Sequence, residues 1–186
     1  MKKFFFIGCC SLIFSITIAQ TFIEGKTFPN SLDTEKGDLV LNGGGVREKL
    51  WIDLYVAGLY LTAKNKNGAE ITNADTEMAV RLHIVSSMIN SENMSEAINE
   101  GFVKSTGGNT APIKDKIDAF INVFAEPIKV DDIFKLVYLS GEGVKIYKNE
   151  VYKSTVSGMD FKKALFGIWL GNTPVSGSLK KGMLGS

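Results

Sequence analysis

The sequence predicts an α+β fold, a mainly antiparallel sheet with helices packed on one face, and three observations carry that prediction. Apolar and polar residues alternate with period two from Thr76 to Val85 and again from Ile133 to Val156. Helical spacing of apolar residues takes over in three stretches, 94–103, 113–124 and 161–169. The resulting order is strands, a short helix, a strand, two helices, three strands and a helix, which groups the helices against one face of the sheet. No linker, internal repeat or low-complexity tract interrupts this order, so one domain over residues 20–186 is expected.

Taken in order, Phe22 and Phe28 flank Glu24-Gly25-Lys26 in what reads as a short edge strand ended by Pro29-Asn30-Ser31. Gly37-Asp38 is a turn signal before Leu39-Val40-Leu41. Residues 50–61, rich in aromatic and β-branched side chains, predict a long strand buried for much of its length. The polar run Lys64 to Gly68 is a solvated loop, and residues 69–74 a short helix. In the strand 76–85, Met78, Val80, Leu82 and Ile84 share one face and Arg81 and His83 the other. Ser91 is the expected N-cap of a helix with Met94, Ile98 and Phe102 on its apolar stripe, stopped by Gly107-Gly108. Thr110 caps the next, with Pro112 in its first turn and Ile113, Ile117, Phe120, Ile121 and Phe124 facing the core. Gly141-Glu142-Gly143 and Lys148-Asn149-Glu150 divide residues 133–156 into an antiparallel meander. Asp160 is placed to cap an amphipathic helix with Phe161, Ala164, Leu165, Ile168 and Trp169 on one side and Gly171 at its C′ position. Residues 178–184 add a last turn or two.

Composition narrows the function classes. The 186 residues are 45% hydrophobic and 22% charged, an ordinary globular balance. Lys2 and Lys3 precede the apolar run Phe4 to Ile18, and small residues stand at Ala19, the three parts of a secretory leader over residues 1–19 with cleavage after Ala19. An uncleaved anchor is the alternative. Cleavage predicts a periplasmic or secreted protein without a membrane span. It leaves 19 of the 21 basic residues against 20 acidic ones, so no basic excess draws in nucleic acid. Cys9 and Cys10 both fall in the leader, so the mature chain has no disulfide and no thiol nucleophile.

The densest chemistry lies at Gly43-Gly44-Gly45-Val46-Arg47, read as a glycine–arginine turn before the 50–61 strand. A permanently charged guanidinium at the mouth of an apolar strand, with Tyr55 eight residues on, can receive a small anion or carboxylate. The alternative is a solvated arginine after a turn. No Gly-Lys-Ser/Thr follows the glycines, so a phosphate loop is excluded. His83 is the only histidine, and no HExxH, CxxC or Gly-x-Ser-x-Gly is present. No metal site and no cofactor is therefore expected.

These residues also resemble a known family. Gly43-Gly44-Gly45-Val46-Arg47 and the strand ending Ala57-Gly58-Leu59-Tyr60-Leu61 resemble the chalcone isomerase family. The run Phe161 to Gly171 followed by Pro174-Val175-Ser176 looks like the last helix of its bacterial, secreted branch. The resemblance implies the open-faced β-sandwich of that family, with the helix bearing Met94 and Phe102 over a ligand cleft beside Arg47.

Carried over residue by residue, the resemblance argues against chalcone cyclisation. Arg47 matches the arginine that stabilises the substrate's anionic oxygen in the plant enzymes. Tyr55 stands where they have a threonine, as in fatty-acid-binding relatives whose arginine and tyrosine hold a carboxylate. The family's catalytic tyrosine, lysine and asparagine fall on Met94, Ala97 and Gly101. The favoured expectation is thus a binding protein for a small apolar carboxylate such as a fatty acid. Arg47 and Tyr55 anchor it, and Met94, Phe102 and part of the 161–169 helix form the wall. The alternatives are an isomerase or intramolecular lyase for another enone, with Arg47 and Tyr55 catalytic, and an envelope protein whose bare sheet face docks a partner.

Overall fold

The computed structural model describes residues 19–186, so the expected leader lies, but for Ala19, outside the described residues. Two strands, β1 (Gln20–Ile23) and β2 (Lys26–Pro29), pair as an isolated hairpin. A second, seven-stranded sheet runs β3 (Ser31–Leu32), β4 (Leu39–Lys49), β5 (Ile52–Leu61), β6 (Met78–Ile84), β7 (Ile133–Leu139), β8 (Gly143–Lys148) and β9 (Val151–Val156). Every neighbouring pair in it is antiparallel and sequential, and the sheet curls around its helices. The helices are α1 (Gly68–Asn73), α2 (Ser91–Ser105), α3 (Lys114–Asn122), α4 (Met159–Leu170) and α5 (Gly177–Met183).

Strand alternation sends the two residue sets of β5 and β6 to opposite faces. Ala57, Leu59, Leu61, Met78, Val80, Leu82 and Ile84 face the helices and join the main core with Phe120, Phe161, Leu165 and Phe166. Val56, Tyr60 and Ala79 face the other way and pack with Phe28, Leu39, Val137 and Leu139. That second core corrects two expectations. Residues 21–28 are not one edge strand, because Glu24 and Gly25 at φ 43° and 78° fold them into a hairpin. The hairpin brings Phe28 over the centre of the sheet, burying Val56, Tyr60 and Ala79 on the face that the partner-docking alternative takes as bare.

The glycine run is corrected as well. Gly43, Gly44 and Gly45 lie inside β4, and the chain reverses later, at Leu50-Trp51. What these glycines supply is close approach: a Cβ on Gly43 would lie 2.3 Å from the Gly182 carbonyl oxygen of α5, and one on Gly44 2.7 Å from Ile23 Cδ1. Backbone thus packs on backbone. Asn42, the extra residue at a bulge beside Gly43, bonds through its side chain to Asn65 and to the Met183 carbonyl, tying β4 to α5.

Helix ends shift by a residue or two from expectation. The N-cap of α2 is Asn90, whose side chain accepts from the Asn93 N–H, rather than Ser91. At α4 the N-cap position is Gly158, with φ 108°, and Asp160 sits in the first turn, paired with Lys116 at 2.6 Å. Gly171 is the C-cap itself, with extended backbone at φ −69°, not a left-handed C′ residue. Nor is α4 amphipathic in its setting. It is the central helix, buried from Ala164 through Leu170, with Lys162 fully buried too. Lys162 Nζ donates to the carbonyls of Ile71, Thr72 and Ala74 at 2.8, 2.9 and 2.8 Å, so it closes the C-terminal end of α1. Burial lowers its pKa to about 8.

Candidate ligand-binding site

Between the sheet and helices α2 and α4 lies a cavity of about 370 Å³. Its floor is Leu82 and Leu136, its walls Met94, Ala97 and Ile98 from α2 and Leu165 and Ile168 from α4, with Phe120 and Phe124 at one end. Such a lining is apolar. Its polar lining residues are Arg47, Tyr55 and Trp169, together with the exposed Lys49, Asn93, Glu96, Glu100 and Lys104.

The register of β4 on β5 explains how Arg47 and Tyr55 meet. They are direct cross-strand partners, so both side chains project toward the helices. Tyr55 Oη accepts a hydrogen bond from Trp169 Nε1 at 3.0 Å, which fixes the ring and leaves the phenolic proton free to be donated. Burial raises the Tyr55 pKa, opposed in part by the Trp169 bond and the Arg47 charge, so the group is a neutral donor at neutral pH. Arg47 Nη1 donates to the neighbouring Glu48 carbonyl. Among the described residues no carboxylate lies within 4.0 Å of the guanidinium. A cation, a neutral hydroxyl donor and an apolar chamber are therefore contiguous, the pairing of groups that receives the charged end and the hydrocarbon end of one amphiphile.

Of the residues singled out in the sequence, Arg47, Tyr55 and Met94 line this cavity and Phe102 does not. Phe102 is fully buried against Phe161 and Phe120, with ring centroids 5.6 and 6.1 Å away, and that aromatic cluster begins where the chamber ends. Ala97, where the family's lysine was expected, is a wall residue, and the Gly101 position is closed by Ile168, whose side chain would lie 3.0 Å from a Cβ there. Sequence reasoning placed Trp169 only on an apolar stripe and missed its bond to Tyr55. The available signal was chemical: a buried indole N–H needs an acceptor. Among the described residues no group of three or more His, Cys, Asp and Glu is placed to hold a metal ion. His83 lies across the sheet, on the hairpin side, 2.9 Å from Asp131.

Comparison with known proteins bears on the fold and the family. No curated protein matches the sequence. Among solved structures the chain is similar to a fatty-acid binding protein of Arabidopsis thaliana, with a TM-score of 0.68 at 18% identity over 86% of this chain and 92% of that one. At that identity the likeness establishes the fold, the curled sheet with packed helices. Residues 20–185 match the profile of a family described as chalcone isomerase-like. With nearly the whole described chain inside that match, the protein belongs to the chalcone isomerase-like family.

Proposed function

We propose that this protein binds an apolar carboxylate, such as a fatty acid, without chalcone isomerase activity. The carboxylate is held by Arg47 and the Tyr55 hydroxyl, and the hydrocarbon lies against Met94, Ile98, Leu165 and Ile168. One observation carries the reading: an arginine with no acidic partner among the described residues sits beside a tyrosine oriented by Trp169 at the edge of a 370 Å³ apolar cavity. Pairing with a ligand carboxylate relieves the cost of holding a lone charge against an apolar wall. The structural similarity to a fatty-acid binding protein supports the same class of ligand.

Met94, Ala97 and Gly101 stand where the resemblance expects a tyrosine, a lysine and an asparagine, so the cyclisation chemistry lacks its proton-handling groups. We place the protein outside the cytoplasm on the strength of the leader-like residues 1–19, and in a secreted bacterial branch of the family on the resemblance of Phe161 to Gly171 and Pro174-Val175-Ser176 to that branch's last helix. Native mass spectrometry of the exported protein tests the binding reading. A co-purifying acid, absent from Arg47→Ala, is the expected result, and an Arg47→Ala protein that retains the acid overturns it.

A further inference from the structure

The turn between β4 and β5 shares its left-handed backbone with Asn149-Glu150, at φ 50° and 66°, and differs from the other hairpin turns in carrying two large apolar side chains. Glu24-Gly25 joins β1 to β2, Ser140-Gly141-Glu142 joins β7 to β8, and Asn149-Glu150 joins β8 to β9. The β4–β5 turn consists of Leu50 and Trp51, exposed to 81% and 93%. Both are left-handed, at φ 52° and 67°. A two-residue turn of this type is relieved by Asn-Gly and strained by branched or bulky side chains. Turn geometry thus disfavours these two residues, and packing does not bury them. Ile52 and Met88 continue the apolar surface, and Leu50, Ile52 and Met88 also line the cavity. The patch therefore runs unbroken from the exposed tip into the mouth of the chamber.

We propose that this tip docks on a lipid bilayer, Leu50 and Trp51 entering the headgroup and upper acyl region so that the cavity opens toward the hydrocarbon. Area argues against a second copy of the chain. A whole aromatic side chain brings only about 150–250 Å². Two largely exposed and two half-exposed residues therefore fall short of the roughly 800 Å² that each partner of a stable complex buries. Insertion into a bilayer needs neither that area nor shape complementarity, and tryptophan settles at the headgroup level. Charge selects the surface. Exposed Glu48 and Asp53 flank the tip with exposed Lys49 and half-exposed Arg47, two anions against two cations and no net charge. A zwitterionic surface is the complement, since an anionic one gains nothing there. Exchange of a carboxylate ligand through the docked mouth rests on the binding function proposed above, whereas docking itself does not.

The test compares parent and Trp51→Gly proteins, each recovered after export of the full chain and confirmed by mass to share one N-terminus. The substitution puts glycine at a left-handed turn position and leaves the cavity-lining Leu50 in place, so the variant folds at least as stably, which a thermal melt checks. Flotation with phosphatidylcholine vesicles is expected to show at least a tenfold lower vesicle partition for the variant, with its affinity for dodecanoic acid in solution within twofold of the parent. Transfer of dodecanoic acid from protein to vesicles then slows by a similar factor. Docking is overturned if the parent stays with the soluble fraction, if the variant floats equally, or if the parent is a dimer that the variant dissociates. If neither protein binds dodecanoic acid yet the variant alone loses the vesicles, docking stands and the carboxylate reading fails.

Discussion

Each face of the central sheet carries an arginine and a tyrosine, and the two pairs have opposite fates. On the helix side Arg47 and Tyr55 border an open chamber. On the hairpin side the guanidinium of Arg81 lies 4.8 Å over the Phe28 ring, and Tyr60 Oη donates to the Pro29 carbonyl at 2.9 Å. Arg81 Nη1 is buried there without a hydrogen-bond partner. Its charge is met by the face of an aromatic ring of the hairpin laid over it. The residue types are the same; what differs is the element laid over them. A flat hairpin seals the sheet with Phe28, whereas round helices crossing a curled sheet leave a gap between α2 and α4. A cation on an apolar strand becomes a site only where packing leaves room beside it.

That contrast predicts which substitutions damage the fold and which damage binding. The largest effect belongs to Phe28→Ala, which empties the hairpin side and is expected to cost about 3–5 kcal/mol of stability in a denaturant titration. Dodecanoic acid affinity, corrected for the folded fraction, stays within twofold; a parallel loss shows the two faces to be coupled. Next comes Arg47→Ala. It removes the cation from a desolvated pair, about 2 kcal/mol or more, so affinity measured by calorimetry falls roughly thirtyfold or more. Its stability changes by no more than about 0.5 kcal/mol, as for a half-exposed side chain without an internal ion pair.

A smaller loss is expected for Tyr55→Phe, which deletes one neutral donor worth about 1 kcal/mol, near fivefold in affinity. The same variant examines the isomerase alternative: if the parent turns over an enone and Tyr55→Phe does not while remaining folded, the protein is an enzyme rather than a carrier. The smallest effect is on pH. Burial lowers the His83 pKa, with the Asp131 bond opposing and the Lys26 and Arg81 charges reinforcing the shift. A histidine held below its unfolded value stabilises the fold above about pH 6.5, and that contribution fades as pH falls toward its folded value. His83→Gln should flatten this part of the stability profile, with ligand affinity unchanged because His83 lies on the sealed face. A profile equally steep in the variant assigns the slope to other groups.

Most elements were legible because their signals are local. Period two in residues 76–85 and 133–156, helical spacing in the three apolar stripes, and Pro112 in a first turn act through near neighbours in sequence. The errors cluster where the same signal serves two purposes. Glycine marks turns and close approach alike, so the run at 43–45 read as a turn, while Gly25, an actual turn, was passed over inside an edge strand. Lys162 stands among apolar residues at helical spacing, one turn before Leu165 and Phe166, and a charge in that position was a readable sign of a buried partner.

Arg47, Tyr55 and Met94 do line the cavity; the sequence singled out the first two as an arginine after glycines with a tyrosine eight residues on, and Met94 through the family resemblance. Phe102 was misplaced into the wall because a helical stripe tells which residues face inward, not which of them meet a void. The sequence by itself thus determined the elements, the two faces of each strand and the residue types available to an anionic ligand, since these depend on periodicity and on side-chain chemistry. Only the tertiary structure decided that the hairpin seals one face, that Trp169 reaches Tyr55 from 114 residues away, and that the helices leave a chamber beside Arg47 rather than beside Arg81. Those outcomes depend on how distant surfaces fill or fail to fill the space between them, and that volume is a property of no local segment.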